Sequence, residues 1–473
     1  MTGANAQQVI VVGAGPAGSA TAYHLARAGI ATLLIDKAAF PRDKVCGDCL
    51  SPRAQRYLDR MGLLEQVAAE SHCSEHIRFR APGGAAAATR ITGDGAIPNR
   101  TLVLPRQRFD HLVQQQAVTA GVRFRVGHVR RLLPEGGVEL AGERLPARLV
   151  VIATGAALGL IKQTPLAPRG PVHSLAARCY LERLPAPGPG PDLRFFFDQL
   201  PLPGYAWLFP TGPTSANLGY WYAGRDAVSA STLLPRLLAE HPELRALTAG
   251  AVPGGPGPVS RTDPASGSGA ALDPGSATPP GVGAGHGTEV AQGSGAGALG
   301  GSDGGPADSA LRAAIKGYPI RTDFLRAPVA APGLLAVGEA AGLVNPFTGE
   351  GIDYALESAE LAAEAILDAL RQEAGEGALP VARLAGYRQA LDRRFGPLFR
   401  LMQFAQRYAF NPWVFDRLFG RGEQGQALVD TLIQVCFGAA PPRRILQPAE
   451  LARLVLSKPA LERGRETTRP ERD

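Results

Sequence analysis

The sequence predicts an α/β protein: a Rossmann-like nucleotide-binding domain, an antiparallel β-sheet domain inserted into it, and a C-terminal helical region. Three observations predict this. Residues 9–37, VIVVGAGPAGSATAYHLARAGIATLLIDK, run strand, glycine turn, helix, strand. Residues 172–222 alternate apolar and polar positions, as strands of an antiparallel sheet do. Residues 334–370 repeat the order strand, glycine-rich turn, long amphipathic helix.

The first unit begins with the apolar run Val9 to Val12, the pattern of a buried parallel strand. Gly13, Gly15 and Gly18 follow in G-x-G-x-x-G spacing, and the helix they open carries small residues (Ala17, Ala20, Ala22) toward the strand. Gly29 ends that helix, and the run Ala31 to Ile35 finishes at Asp36. Each glycine has a physical task. Gly13 allows the tight turn, Gly15 lets a pyrophosphate reach the backbone at the helix N-terminus, and Gly18 lets helix and strand pack closely. Asp36 can accept a hydrogen bond from a ribose, which favours NAD or FAD over a 2′-phosphorylated nucleotide.

The remaining elements follow in order. LPRQRFDHLVQQQA after residue 103 reads as a helix start and amphipathic helix, VRFRV as a strand, and 148-RLVVIATGA-156 as a buried strand ending at Gly155. Residues 8–80, 100–170 and 315–375 are assigned to the nucleotide-binding domain, and 80–100 with 171–250 to the antiparallel sheet. Residues 251–310 are about seven-tenths Gly, Ala, Ser and Pro, so they bury too little to offset chain entropy and read as a disordered insertion. Residues 376–460 read as helical, broken near Gly396-Pro397, Asn411-Pro412 and Pro441-Pro442.

Composition narrows the class. Of 473 residues, 45% are hydrophobic and 19% charged, ordinary for a soluble globular protein. Five cysteines do not make a disulfide scaffold, and an odd count fits a reducing cytoplasm. No signal-type segment opens the chain, and no apolar run approaches the about 18–20 residues of a membrane span. The net charge is +7, and residues 383–473 carry all of it, with 16 basic and 9 acidic side chains. That basic region suits a solvated helical surface or the anionic inner face of a membrane. No nucleic-acid recognition motif accompanies it.

The second glycine turn, 338-GEAAGLVNPFTGEG-351, argues for a flavin dinucleotide, which spans more protein than NAD does. Arg106, in R-x-x-F-D, is a candidate to neutralise phosphate, and a second complete dinucleotide unit for NADPH is missing. The stretch 44-KVCGDCLSPRA-54 is harder to place. Its C-x-x-C could join His72, Cys73 and His76 around zinc, although the spacing fits no standard finger. It could form a redox disulfide between Cys46 and Cys49, but lacks a thioredoxin-like unit, or belong to an active site.

Taken together, these motifs resemble the aromatic-hydroxylase-like (PHBH-type, GR2) FAD proteins. Within that class, P-R-D-K-V-C-G-D, L-S-P-R-A, G-Y-A-W-L-F-P and N-P-F-T-G-E-G-I resemble the geranylgeranyl reductase family. The likeness spans most of residues 8–375 outside the insertion. It implies a flavoprotein that saturates C=C bonds of polyprenyl chains on a lipid, quinone, diphosphate or pigment ester. It implies FAD binding through Gly13, Gly15, Gly18, Asp36, Arg106, Gly338 and Glu339, with Gly349 and Gly351 near the isoalloxazine ring. Two departures stand out: Glu339 replaces the usual Asp, and Cys49 a usual glycine. Cys46 and Gly47 match the family's flavin-side loop, so Cys46 is the implied catalytic residue, positioning substrate or relaying a proton.

Reduction of an isolated alkene needs a dry, apolar, elongated site with one proton source. Tyr205, Trp207, Phe209 and Pro210 supply an apolar wall of the right kind, with plain sheet core as the alternative. NADPH, ferredoxin and a reduced quinone all fit as electron donor, the second implying a partner protein. The rivals are a flavin monooxygenase or halogenase on the same fold, and a noncatalytic flavin- or lipid-binding protein.

Overall fold

The computed structural model describes residues 7–445, apart from 94, 96–97, 169–173, 187, 189, 225–228, 256–305, 373–374, 376, 409 and 420–422. Two large sheets dominate. The first has six strands in the order Ala330–Ala331, Leu334–Ala336, Ala147–Ile152, Gln7–Val12, Thr32–Asp36, Arg123–Val126. All but the first edge strand run parallel. The strands are near-continuous Val, Ile and Leu because helices and further structure cover them, and Val9, Ile10 and Val11 are fully buried.

The order of this sheet places the glycine turns together. Gln7–Val12, Ala147–Ile152 and Leu334–Ala336 are consecutive neighbours, so Gly13, Gly155 and Gly338 leave the same edge. Ligands of open parallel sheets bind at such an edge. Contact there is close: a β-carbon on Gly13 would lie 2.4 Å from the Ala153 carbonyl oxygen, and one on Gly338 2.7 Å from the Ala17 side chain. The helix Pro16–Arg27 packs against the long helix Ile352–Gln372, where Ala359, Ala362 and Ala363 are buried.

The second sheet is mostly antiparallel. Its order is Val252–Gly254, Ser174–Glu182, Ser215–Tyr222, Gly204–Gly212, Leu193–Phe196, His76–Arg80, Ala86–Arg90. Lys316–Ile320, grouped with the nucleotide-binding segments by sequence, pairs here with Ser174–Glu182. The low-complexity segment 251–310 is ordered at both ends, as the strand Val252–Gly254 and the helix Pro306–Ala314; its middle, 256–305, lies outside the described residues.

In the C-terminal region the helix Val381–Tyr408 runs straight through Gly396-Pro397, where a break was expected. An internal proline costs about 3 kcal/mol. Phe395, Leu398, Phe399 and Met402 are all buried around it, at about 1.5–3 kcal/mol each, and this outweighs the lost hydrogen bond. A break does occur at Asn411-Pro412, ahead of the helix Pro412–Phe419.

The tightest point of the glycine turn is Gly18, where a β-carbon would meet the Gly13 carbonyl oxygen at 1.8 Å. Gly18→Ala should lower unfolding free energy by more than about 3 kcal/mol. Gly29→Ala, with a positive φ but open space, should cost about 1–2 kcal/mol. Denaturant unfolding of both variants checks the difference.

Candidate active site

The glycine-turn edge of the first sheet and one face of the second enclose a cavity of about 780 Å³. At its nucleotide end stand Gly13, Gly15 and Asp36. Asp36 accepts hydrogen bonds from the Ala14 N–H at 2.8 Å and the Ala38 N–H at 3.0 Å, which fixes the carboxylate beside the turn. Gly18 and Gly338 sit behind this wall as packing positions and do not touch the cavity.

Arg106 lines the cavity but is deeply buried, with Nε and Nη2 donating to the two oxygens of Asp110 at 2.6 and 2.8 Å. Its charge is therefore largely matched within its own R-x-x-F-D motif. The Cys46 thiol lies beside the guanidinium, so the predicted cation and the predicted thiol share this part of the cavity. A half-buried arginine that the sequence reading passed over, Arg42, reaches Asp36 at 3.4 Å and Asp110 at 3.0 Å. Its Nη2 also lies 3.8 Å from where a Gly15 β-carbon would be, which puts a cation beside the first glycine turn.

The cysteine loop is held from the second sheet. Asn217 donates from Nδ2 to the Cys46 carbonyl at 2.7 Å and to Asp48 Oδ2 at 2.8 Å, and accepts from Trp207 Nε1 at 2.9 Å. Tyr180 donates its hydroxyl to Asp48 at 2.6 Å, and the Arg106 N–H reaches the other Asp48 oxygen at 3.2 Å. Asp48 is wholly buried and has a φ of 64°, a left-handed conformation that Asp adopts more readily than most residues. Burial pushes its carboxyl up to about 6, against the pull of the Tyr180 and Asn217 hydrogen bonds and the nearby Arg178 and Arg106 charges. Gly47 fits only without a side chain, since a β-carbon would meet the Phe209 ring at 3.1 Å.

Opposite lie the aromatics. Tyr205, Trp207 and Phe209 point into the cavity at every second residue, while Pro210 is out of phase and faces away. Phe195 and Trp221 extend the row, with ring centroids 5.3 and 5.6 Å from Tyr205. Tyr205 hydrogen-bonds the Thr348 carbonyl, tying this wall to the second glycine turn. Gly349 has a φ of 70° and lies under Trp221, whose ring a β-carbon would meet at 3.2 Å. Glu339 lines the cavity and pairs with Lys44 at 3.0 Å.

Cys46 and Cys49 both line the cavity as free thiols, and burial holds Cys49 well above the usual thiol range. Among the described residues no group of three His, Cys, Asp or Glu side chains is placed to hold a metal ion.

Comparison with known proteins accords with this geometry. Residues 6–140 match the FAD binding domain family. Over 373 residues the chain is 30% identical to the menaquinone reductase of Mycobacterium tuberculosis, covering 75% of each chain. It is 32% identical over 405 residues to a digeranylgeranylglycerophospholipid reductase of Methanopyrus kandleri, covering 83% of this chain and 84% of that one. In fold it is similar to a geranylgeranyl bacteriochlorophyll reductase-like protein of Thermoplasma acidophilum, with a TM-score of 0.69 at 18% identity over 95% of this chain and all of that one. A flavin-dependent brominase shares the fold at a TM-score of 0.65 and 16% identity, covering 94% of this chain and 98% of that one. Fold and cavity thus define an FAD-dependent oxidoreductase. The chain belongs to the geranylgeranyl reductase family.

The raised Asp48 carboxyl has a measurable consequence. The folded state holds its proton to higher pH than the unfolded state, so this stabilisation is full below about pH 4 and lost as pH rises through about 6. The shift corresponds to up to about 3 kcal/mol. Relative to Asp48→Asn, which cannot titrate, wild-type stability should decline across that window. Chemical denaturation at a series of pH values checks it.

Proposed function

We propose that this reductase saturates C=C bonds of a polyprenyl chain carried by a quinone, lipid, diphosphate or pigment ester. The observation that carries the reading is the continuous aromatic wall, Tyr205, Trp207, Phe209 and Trp221, facing the Cys46 loop across a cavity that also contains the nucleotide-binding turn. An unactivated alkene offers no polar handle, so such a wall must orient it by shape and exclude water. The relatives' names, menaquinone reductase and digeranylgeranylglycerophospholipid reductase, point to prenylated quinones and prenyl lipids.

The residues present fit FAD. Gly13 and Gly15 leave the backbone open to a pyrophosphate, Asp36 would take a ribose hydroxyl, and Arg42 would face phosphate while Arg106 supports Asp110 and Cys46. Gly349 and Gly351 line the same cavity and would leave their backbone open to the ring system. Bound there in its reduced form, FAD supplies hydride chemistry. The chain's own residues hold the alkene against the aromatic wall and fix the Cys46 loop through Asn217, with the Arg106 guanidinium beside the thiol. Cys46→Ala should keep FAD bound and lower turnover by at least about 100-fold. Unchanged turnover contradicts the role of Cys46. Oxygen incorporation into the product in place of two added hydrogens contradicts the reductase reading and favours a monooxygenase.

Delivery of such a substrate favours contact with a membrane surface. No helix among the described residues is long and apolar enough to cross a membrane. Among the aromatics of the C-terminal helices, Phe399 and Phe415 are buried core residues, whereas Phe404, Tyr408 and Trp413 are exposed. Exposed Arg400 and Arg407 flank them. Phe410, between Tyr408 and Trp413 in sequence, packs its ring at a tilt against Phe347 and Trp221 and links this surface to the cavity wall. The protein should bind anionic vesicles at low salt and release at high salt, and Phe404→Ser with Trp413→Ser should weaken binding at least about tenfold. Vesicle co-sedimentation reads both.

A further inference from the structure

Glu350 stands between Gly349 and Gly351, just ahead of the helix Ile352–Gln372, and lines the cavity close to Tyr205 and Cys49. Its carboxyl forms no salt bridge among the described residues. Its one side-chain hydrogen bond is a long one, accepted from Thr348 Oγ1 at 3.4 Å. Arg53 is the cation that faces it, and Arg53 is already engaged by Asp353 at 3.5 Å and Glu357 at 3.8 Å. The other titratable groups around Glu350 are Asp353 and Tyr354 on the same helix, Tyr205 on the aromatic strand, Cys49 on the loop and Cys436 on the helix Glu423–Cys436. None of these is a cation.

The surroundings therefore favour the neutral acid. Burial is the larger influence and the Asp353 charge the next, and together they hold Glu350 well above the usual carboxylate range against the pull of Arg53. Neighbouring hydroxyls and thiols are poorer acids. Tyr205 is committed to the Thr348 carbonyl and pushed up by burial, and the Cys49 thiol is pushed up as well. Behind Glu350, Asp353 Oδ2 and Glu357 Oε2 are buried without a hydrogen-bond partner and face Arg53 only at 3.5 and 3.8 Å. Glu357 pairs in turn with the half-exposed Arg394.

We propose that Glu350 is the acid that delivers the proton each saturated double bond requires. The inference rests on the polyprenyl-reductase reading. The π bond opens, one carbon takes a hydride equivalent from the reduced flavin and the other takes the Glu350 proton, giving two C–H bonds. The flavin is oxidised by two electrons, and Glu350, left as a carboxylate, regains a proton from the side of Asp353 and Glu357.

The test uses FAD-loaded protein, photoreduced without oxygen and mixed with geranylgeranyl diphosphate or a menaquinone. Wild-type reoxidation by the probe should slow as pH rises through the Glu350 titration. E350Q should bind and photoreduce FAD normally, reoxidise at least about 100-fold more slowly and lose that pH dependence, and E350D should recover part of the rate. Infrared difference spectra on raising pH should show a protonated-carboxyl band disappear in wild type and be missing from E350Q. An E350Q rate within about twofold of wild type, or no such band difference, overturns the assignment of Glu350. A wild-type protein that reduces neither probe instead overturns the functional reading, and the infrared band reports on Glu350 separately.

Discussion

A buried carboxylate, Asp48, holds the two halves of the site together. It belongs to the loop that carries Cys46, yet it receives hydrogen bonds from Tyr180 and Asn217 on the second sheet and from the backbone of Arg106 at a helix start. Hydrogen bonds to a charged partner are worth about 1.5–3 kcal/mol each, and leaving the carboxylate unsatisfied would cost more than that. The left-handed backbone at Asp48 persists because these partners over-determine it. The same Asn217 bonds the Cys46 carbonyl and the Trp207 indole, so the cysteine loop and the aromatic wall are positioned by one connected network.

The network explains why the cavity can be both apolar and chemically equipped. Its polar groups are mostly spent on one another: Arg106 on Asp110, Lys44 on Glu339, Asp48 on its three donors. Lys37, His128 and Arg130 line the cavity near Asp36, and toward the second sheet what faces the space is largely aromatic ring, thiol and glycine backbone. Glu350 is the exception, an acid without an ion-pair partner among the described residues, and it lies where the second glycine turn meets the aromatic wall.

Much of this was legible in the sequence, and the misses have physical causes. The G-x-G-x-x-G unit with Asp36 could be read because its constraints are local, within about thirty residues. Tyr205, Trp207, Phe209 and Pro210 were read together as one wall, and the two-residue alternation of a strand shows why the first three line the cavity and Pro210 does not. The partner of Arg106 was visible four residues on, as Asp110 in its own motif, although the arginine was read as a phosphate ligand. The partners of Asp48 were not visible, since Tyr180 and Asn217 are 132 and 169 residues away and only the fold brings them close. Helix continuity through Pro397 was hidden for a similar reason: local propensity opposes it, and tertiary burial of Phe395 and Phe399 decides it.

In the proposed function the cavity unites a reducible flavin with an isolated polyprenyl double bond. Its most direct test is product analysis after a single anaerobic turnover in deuterated water, using photoreduced protein and a panel of polyprenyl compounds. The expected product has gained two hydrogens per reduced bond, with deuterium on a former alkene carbon. A chain recovered unchanged from every compound, while the flavin stays reduced, would contradict it.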